Sequence, residues 1–232
     1  MTVFVLVHSP AVGPATWEPV AQRLRARGHQ ALVPTLATVA DGTPPYWARV
    51  VEAVRAGLAG LNPAQPVTLV AHSNAGVFVP VLADGLDREV ECCIFADATV
   101  PARSGATPVA EQEFLAVLRG LAGPDGRLPP WTDWWGDQDL AALFPDQQTR
   151  EVVAAEQRRL PLRYFEERVP APSGWDDRAC GFVLFSAGYE RAASLARERG
   201  WPVRVVRGEH LHQVVDPAGV STALADLAER PR

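Results

Sequence analysis

The chain has 232 residues, a formal net charge of −5 and a hydrophobic fraction of 47%. A chain of this length can bury one substantial core, and its mild charge argues against nucleic acid or an anionic membrane as the main partner. Its cysteine content, including the adjacent Cys92 and Cys93, is typical of buried thiols in a reducing compartment. We therefore expect a cytoplasmic protein with neither nucleic acid nor a membrane as its main partner, and we leave a homodimer open.

Short apolar runs alternate with helical patterns along most of the chain. The first run, TVFVLVH, is too short for a membrane span and lacks the basic flank of a signal peptide, so it predicts a buried strand. Apolar strands separated by amphipathic helices indicate a mainly parallel sheet with helices on both faces. The predicted strands are 2–8, 30–34, 66–72, 89–98, 180–188 and 201–208.

The segment from about 101 to 175 interrupts this alternation. It is rich in proline and tryptophan, and its helical patches at 111–121 and 149–160 lie between two predicted strands. Ligands of such sheets bind beyond the carboxyl ends of the strands, where this insertion must emerge. We predict a single domain with a core of 1–100 and 176–232 and a helical cap that roofs an apolar pocket. A helical cover for the sheet edge is the alternative.

The sequence VTLVAHSNAG, from Val67 to Gly76, predicts a strand, a sharp turn and a helix around Ser73. A serine with small residues two positions before and after it is the sequence form of a nucleophile elbow. Here both positions hold alanine, Ala71 and Ala75, where glycine is usual. A serine that merely caps a helix is the alternative interpretation.

Two histidines follow the last predicted strand, His210 and His212 in RGEHLHQVVDP. A serine hydroxyl becomes a good nucleophile when an imidazole takes its proton and a carboxylate orients that imidazole. A histidine at this strand end would face the edge of the sheet from which Ser73 emerges. The two histidines could also suggest a metal pair, but no third ligand cluster accompanies them, so we predict neither a metal nor a cofactor.

Taken together, these motifs resemble the α/β-hydrolase superfamily over nearly the whole chain. VFVLVHSPAVGPATW resembles its first core strand and oxyanion loop, LVAHSNAG its elbow, GFVLFSAGYE the strand that carries the acid, and GEHLHQVVDP its histidine loop. The resemblance implies a compact, capped member with a six-stranded sheet and without the leading hairpin. It also favours His210 as the base, because in the family a proline commonly follows that histidine by seven residues, as Pro217 does here.

The resemblance leaves the triad acid open. Glu190 falls where the family's aspartate usually stands, and we favour it. Asp97, at the end of the strand after the elbow helix, is the second position from which the family supplies the acid. Asp177 and Asp216 are weaker candidates, the latter because it already fits a helix N-cap.

The oxyanion loop departs from the family pattern. One donor is expected to be the backbone amide of Asn74, and the second comes from the loop after the first strand. That loop has Ser9 in place of the usual glycine, and it has Pro10, which carries no N–H, at the position that often donates. The Ala11 amide or the Ser9 hydroxyl could substitute; otherwise oxyanion stabilisation is weak.

The predicted function is a serine hydrolase for a small, apolar carboxylic ester, thioester or lactone. Ser73 attacks, His210 moves the proton, and Trp131, Trp134 and Trp135 contact the apolar part of the substrate unless they form the cap's own core. The first alternative is a lyase or cyclase that uses the same serine and histidine for acid–base chemistry, with Ser9 binding a substrate hydroxyl. The second is a ligand-binding protein with a vestigial triad.

Overall fold

A computed structural model describes residues 1–229, so residues 230–232 of the predicted core lie outside the described part. The strands in chain order are β1 Val3–Val7, β2 Gln30–Leu32, β3 Val67–Ser73, β4 Val90–Ala98, β5 Gly105–Pro108, β6 Arg168–Ala171, β7 Ala179–Leu184 and β8 Val203–Val205. The six predicted strands form one parallel sheet in the order β2-β1-β3-β4-β7-β8, which confirms the predicted sheet.

The helices follow the pattern expected from the spacing of apolar residues. In chain order they are α1 Glu18–Ala26, α2 Tyr46–Gly57, α3 Val79–Gly85, α4 Gln112–Leu121, α5 Asp137–Ala141, α6 Gln147–Glu156, α7 Leu162–Phe165, α8 Glu190–Glu198, α9 His212–Val215 and α10 Pro217–Ala228. No helix within residues 1–229 has the length and apolar character that crossing a membrane would require.

Helices cover the sheet on both faces, which explains why the central strands are apolar on both sides. On one face, α1 and α10 pack through Trp17, Leu24 and Leu224. On the other face, α2, α3 and α8 pack against residues such as Leu69 and Phe95. All three cysteines are buried and none forms a disulfide.

The insertion, residues 101–175, leaves the sheet after β4 and returns at β7. It contains α4 to α7, and in addition β5 and β6, which the sequence analysis did not predict. These two strands pair antiparallel, from Gly105 opposite Ala171 to Pro108 opposite Arg168. The pairing joins the entry and exit of the insertion, so the segment begins and ends at one place on the core.

Register brings the ends of the two central strands together. Ser73, the last residue of β3, lies opposite Ala98, the last residue of β4. Chemical groups at the carboxyl ends of neighbouring parallel strands therefore share one edge of the sheet, and the insertion emerges from that same edge.

Candidate active site

Ser73 occupies a strained turn between β3 and the helix that follows. Its φ of 59° and ψ of −131° lie in a region that residues with a Cβ rarely adopt. The turn is crowded: Ala71 and Ala75 are fully buried, and a Cβ on Gly76 would collide with the Thr99 carbonyl oxygen. The small residues are therefore required sterically, and the serine side chain is presented at the end of the strand.

Ser73, His210 and Asp97 form a continuous hydrogen-bonded chain. The Ser73 Oγ lies 2.9 Å from His210 Nε2, and His210 Nδ1 lies 2.9 Å from Asp97 Oδ2. Each residue comes from a different strand end or loop: β3, the loop after β8, and β4. This geometry allows the imidazole to take the serine proton while the carboxylate fixes its tautomer.

Asp97 is held in place by four hydrogen bonds. Its Oδ1 accepts from the amides of Phe185 and Ser186 at 2.9 and 3.0 Å, and its Oδ2 accepts from the Ser186 hydroxyl at 2.6 Å and from His210. Burial raises the pKa of this carboxyl, but the hydrogen bonds and charge from His210 and the bonds from Ser186 outweigh it, so its pKa lies below the ordinary value. The carboxylate is thus ionised and can only accept.

The favoured acid, Glu190, does not contact His210. It begins α8 on the exterior, and its carboxylate pairs with Arg197 at 2.9 Å. A 3-10 turn at Ala187–Tyr189 separates it from β7, which displaces it from the strand end. The geometry therefore corrects this choice in favour of Asp97. The weaker candidate Asp216 caps α10 through the Gly219 amide, as its sequence context suggested.

Two buried histidines support the site without being part of it. His72 Nε2 donates to the His210 carbonyl oxygen at 2.8 Å, and the two rings lie 4.6 Å apart. His8 contacts the Ser9 carbonyl through Nδ1 and accepts from the Leu36 amide through Nε2. Burial lowers the pKa of His72 to about 3 and that of His8 to about 4, so both rings are neutral near pH 7.

The second histidine of the loop, His212, is directed elsewhere. Its ring lies 6.0 Å from that of Phe185, and the hydrogen bond to Ser73 belongs to His210. The choice between the two histidines therefore agrees with the geometry. Within residues 1–229 no group of three or more histidine, cysteine or carboxylate side chains is arranged to hold a metal ion.

Tyr189 is a site residue that the sequence analysis missed. Its ring stacks on that of His210, 4.9 Å away and nearly parallel, and its hydroxyl lies 3.4 Å from the Ser73 Oγ. Burial raises the pKa of Tyr189 to about 12, so it remains protonated. The only signal in the sequence was its position in SAGYE, directly after the strand that ends at the site edge.

The expected oxyanion residues surround Ser73. Asn74 follows the serine, and both polar atoms of its side chain are hydrogen-bonded: Nδ2 donates to the Val109 carbonyl at 2.7 Å, and Oδ1 accepts from the Tyr164 hydroxyl. In the first loop the Ala11 amide donates to the Ser9 Oγ at 3.3 Å. Since that Oγ accepts from Ala11, its own proton can point towards another acceptor.

A cavity of about 650 Å³ opens at Ser73 and His210. Its wall is mainly apolar, and its polar lining residues include Ser73 and His210. The insertion contributes most of the apolar wall, including the three predicted tryptophans; the apolar and aromatic lining residues are Ala11, Pro108, Val109, Ala110, Phe114, Trp131, Trp134, Trp135, Ala142, Leu143, Phe165 and Tyr189. Among these, Trp131 and Trp135 pack edge to face at 6.2 Å, and Trp134 donates to the Pro129 carbonyl. The indoles therefore serve both the insertion's own packing and the cavity wall.

Comparison with solved structures identifies the fold. An extracellular α/β-hydrolase from a Paenibacillus species, described as sharing structural and functional homology with tobacco salicylic acid binding protein 2, superposes with a TM-score of 0.78 at 14% identity. That match covers 99% of this chain and 100% of the other. The chain has the α/β-hydrolase fold.

Two further solved structures superpose on this chain nearly as well. Polyneuridine aldehyde esterase matches with a TM-score of 0.75 at 13% identity, covering 99% of this chain and 100% of that one. Tomato methylketone synthase I in complex with 2-tridecanone matches with a TM-score of 0.72 at 16% identity, covering 98% and 97% of the two chains. At such identities the likeness concerns the fold.

The sequence relatives of this chain are esterases by name. Esterase PIR7B of Oryza sativa subsp. japonica is 29% identical over 175 residues, which cover 71% of this chain and 59% of the relative. Probable esterase PIR7A of Oryza sativa subsp. indica is 25% identical over 174 residues, 72% and 61% of the two chains. The aligned part thus spans about 60% of the curated relatives it matches. No family model matches the sequence.

Proposed function

We propose that the protein is a serine hydrolase that cleaves a small, neutral, largely apolar carboxylic ester. The observation that carries this proposal is the unbroken hydrogen-bonded chain from Ser73 through His210 to Asp97 at the mouth of an apolar cavity. The esterase relatives support the same reaction class. Thioesters and lactones are cleaved by the same chemistry and fall within the proposal.

The reaction follows from the protonation states of the site. Asp97 is a carboxylate, so the proton of His210 lies on Nδ1 and its Nε2 accepts from the Ser73 hydroxyl. Ser73 attacks the substrate carbonyl carbon while Nε2 takes its proton. The imidazolium then protonates the leaving-group oxygen. A water molecule, activated by the same Nε2, hydrolyses the acyl-enzyme and restores the serine.

The negative oxygen of the tetrahedral intermediate needs donors in place before the reaction. We assign one to the Asn74 amide, at the start of the turn after Ser73. We assign the second to the Ser9 hydroxyl, because the Ala11 amide already donates to Ser9 and Pro10 has no N–H. A hydroxyl rotates freely, so it is a less pre-organised donor than a fixed amide.

Charge at the cavity argues for a neutral substrate. Three carboxylates line it, Glu111, Asp139 and Glu209, and no arginine occurs among the lining residues that the structure describes. A substrate carboxylate or phosphate would meet repulsion here without a compensating cation. The proposal also includes a small-molecule substrate, no nucleic-acid or membrane partner and a cytoplasmic location, to which the cysteines outside disulfides lend support.

A second candidate function is a non-hydrolytic lyase or cyclase. The replacement of the usual backbone donor by Pro10 and the presence of the Ser9 hydroxyl at the cavity favour it. A hydroxyl suits a substrate alcohol as well as an oxyanion. In this reaction Ser73 and His210 would move a proton without forming an acyl-enzyme.

Labelling and turnover distinguish these functions. A fluorophosphonate probe should add to Ser73, detected by intact mass and peptide mapping, and p-nitrophenyl acetate should be hydrolysed. Both should be lost in Ser73→Ala and kept in the matched histidine control His212→Ala. Labelling without hydrolysis of a panel of neutral esters would favour the lyase, whereas a folded protein that neither labels nor hydrolyses would overturn the proposal in favour of a binding protein.

A further inference from the structure

Tyr189 touches both the nucleophile and the base, yet the triad mechanism leaves it without a role. It ends the 3-10 turn Ala187–Tyr189 and lines the cavity. Its ring covers one face of His210 at 4.9 Å, with only 4° between the planes, and its hydroxyl lies 3.4 Å from the Ser73 Oγ. Its hydroxyl is thus within hydrogen-bond distance of the nucleophile.

The direction of its hydrogen bond follows from the neighbouring groups. The Asp97 carboxylate can only accept, so the imidazole proton sits on Nδ1 of His210 and the Ser73 hydroxyl donates to Nε2. The Ser73 hydroxyl has a single proton, which it already donates to His210 Nε2. In the contact between Ser73 and Tyr189, the tyrosine must therefore be the donor.

The same geometry sets where the tyrosine acts during the reaction. The leaving-group oxygen must come within hydrogen-bond reach of His210 Nε2, because that nitrogen returns the proton to it. It is also bonded to the carbon that Ser73 Oγ has attacked. An oxygen that satisfies both conditions lies close to Ser73 Oγ and His210 Nε2, and the Tyr189 hydroxyl lies 3.4 Å from that Oγ, on a ring that stacks on the imidazole.

We propose that Tyr189 is a further catalytic residue, whose hydroxyl donates a hydrogen bond to the leaving-group oxygen as its bond to the carbonyl carbon breaks. The role rests on the proposed hydrolase function. The electron pair of the breaking C–O bond goes to the leaving oxygen, and the proton comes from His210 Nε2. Tyr189 keeps its proton and stabilises the charge that develops before the proton arrives.

Tyr189→Phe tests this role, because it removes the hydroxyl and keeps the ring that stacks on His210. We would measure kcat/KM, which reports the acylation step, for two acetates that share an acyl group: p-nitrophenyl acetate and ethyl acetate. A poor alkoxide leaving group needs the donor, whereas p-nitrophenolate leaves without help. The variant should lose about 10- to 100-fold on ethyl acetate and less than about 3-fold on p-nitrophenyl acetate.

The control is Tyr46→Phe, which makes the same change at a buried tyrosine in α2 outside the cavity lining, and it should keep both rates. An equal loss on both esters would overturn the assignment, since it would mean that the hydroxyl only positions the triad; so would no loss on either. Failure of the unmodified protein to hydrolyse either ester and to react with the fluorophosphonate would instead overturn the proposed hydrolase function itself.

Discussion

The sheet and the insertion contribute to the site in different ways. The triad side chains come from strand ends and loops of the core, where β3 and β4 are fixed by register and Asp97 is held by four hydrogen bonds. The insertion contributes most of the apolar wall and a few polar links to the core, such as that from Tyr164 to Asn74. Under the proposed hydrolase function, the core supplies the groups that react with the ester, and the insertion supplies most of the wall that contacts the rest of the substrate.

The largest expected effect tests the contribution of the core to the chemistry of the site. Asp97→Asn should lower kcat/KM on p-nitrophenyl acetate by about 10³- to 10⁴-fold, because the amide no longer holds the imidazole tautomer that accepts the serine proton. Glu190→Gln, the matched change at the exposed carboxylate, should stay within about 2-fold, as expected for a surface substitution. A large loss in Glu190→Gln with little loss in Asp97→Asn would reverse the assignment of the acid.

Acid should destabilise the core through its buried histidines. Their pKa values of about 4 for His8 and about 3 for His72 lie below the ordinary value of 6.5. Above pH 6.5 these rings are mainly neutral in both the folded and the unfolded protein. Below pH 6.5 the unfolded protein binds more protons than the folded one, so the free energy of unfolding falls as the pH drops towards the pKa values of the folded protein. From pH 7 to pH 5 the two rings should remove about 4 kcal/mol from the free energy of unfolding.

Denaturant titrations at the two pH values measure this loss. His72→Gln keeps a donor for the His210 carbonyl and removes one of the two titrating rings, so its loss between pH 7 and pH 5 should be about half as large. The quantity compared is the change in the free energy of unfolding between pH 7 and pH 5, measured separately for the unmodified protein and for His72→Gln. A destabilisation by the substitution that is equal at both pH values therefore cancels. An unchanged pH dependence in His72→Gln would contradict the assignment of a depressed pKa to this ring.

The smallest expected effect tests the contribution of the insertion to substrate binding. Trp135 is 43% exposed at the cavity and packs edge to face on Trp131. Trp135→Ala should raise KM for p-nitrophenyl hexanoate by about 3- to 10-fold through lost apolar contact, and should leave kcat/KM for p-nitrophenyl acetate within about 2-fold. A fall in kcat for both esters would mean that the insertion takes part in the chemistry as well as in substrate selection.

The sheet was predictable because its determinants are local. Each apolar run is long enough to be a buried strand, and the carboxyl ends of parallel strands share one edge, so Ser73 and a histidine after the last strand were expected to meet. The small residues around Ser73 predicted the sharp turn. The side chains of these two residues do lie within hydrogen-bond distance.

The acid and Tyr189 were harder to predict because they depend on the path of one loop. Counting from the end of β7 suggested Glu190, but the 3-10 turn before α8 turns Glu190 outwards and Tyr189 inwards. The spacing of apolar residues, which predicts helices and strands, does not predict such a turn. Asp97 offered one usable signal, a carboxylate at the end of a buried strand, where it needs partners to remain charged. The ribbon of β5 and β6 was missed because both strands contain proline, which demotes a strand prediction.

The side chain of Asn74 has a practical consequence for anyone who wishes to graft a different lid onto this scaffold. Its side-chain amide donates to the Val109 carbonyl and accepts from the Tyr164 hydroxyl, both of which belong to the insertion, while its backbone directly follows Ser73. A transplanted lid must reproduce one acceptor and one donor at those two points. A chimera that omits them would release the peptide group next to the serine, and would lose rate even on substrates too small to touch the new lid.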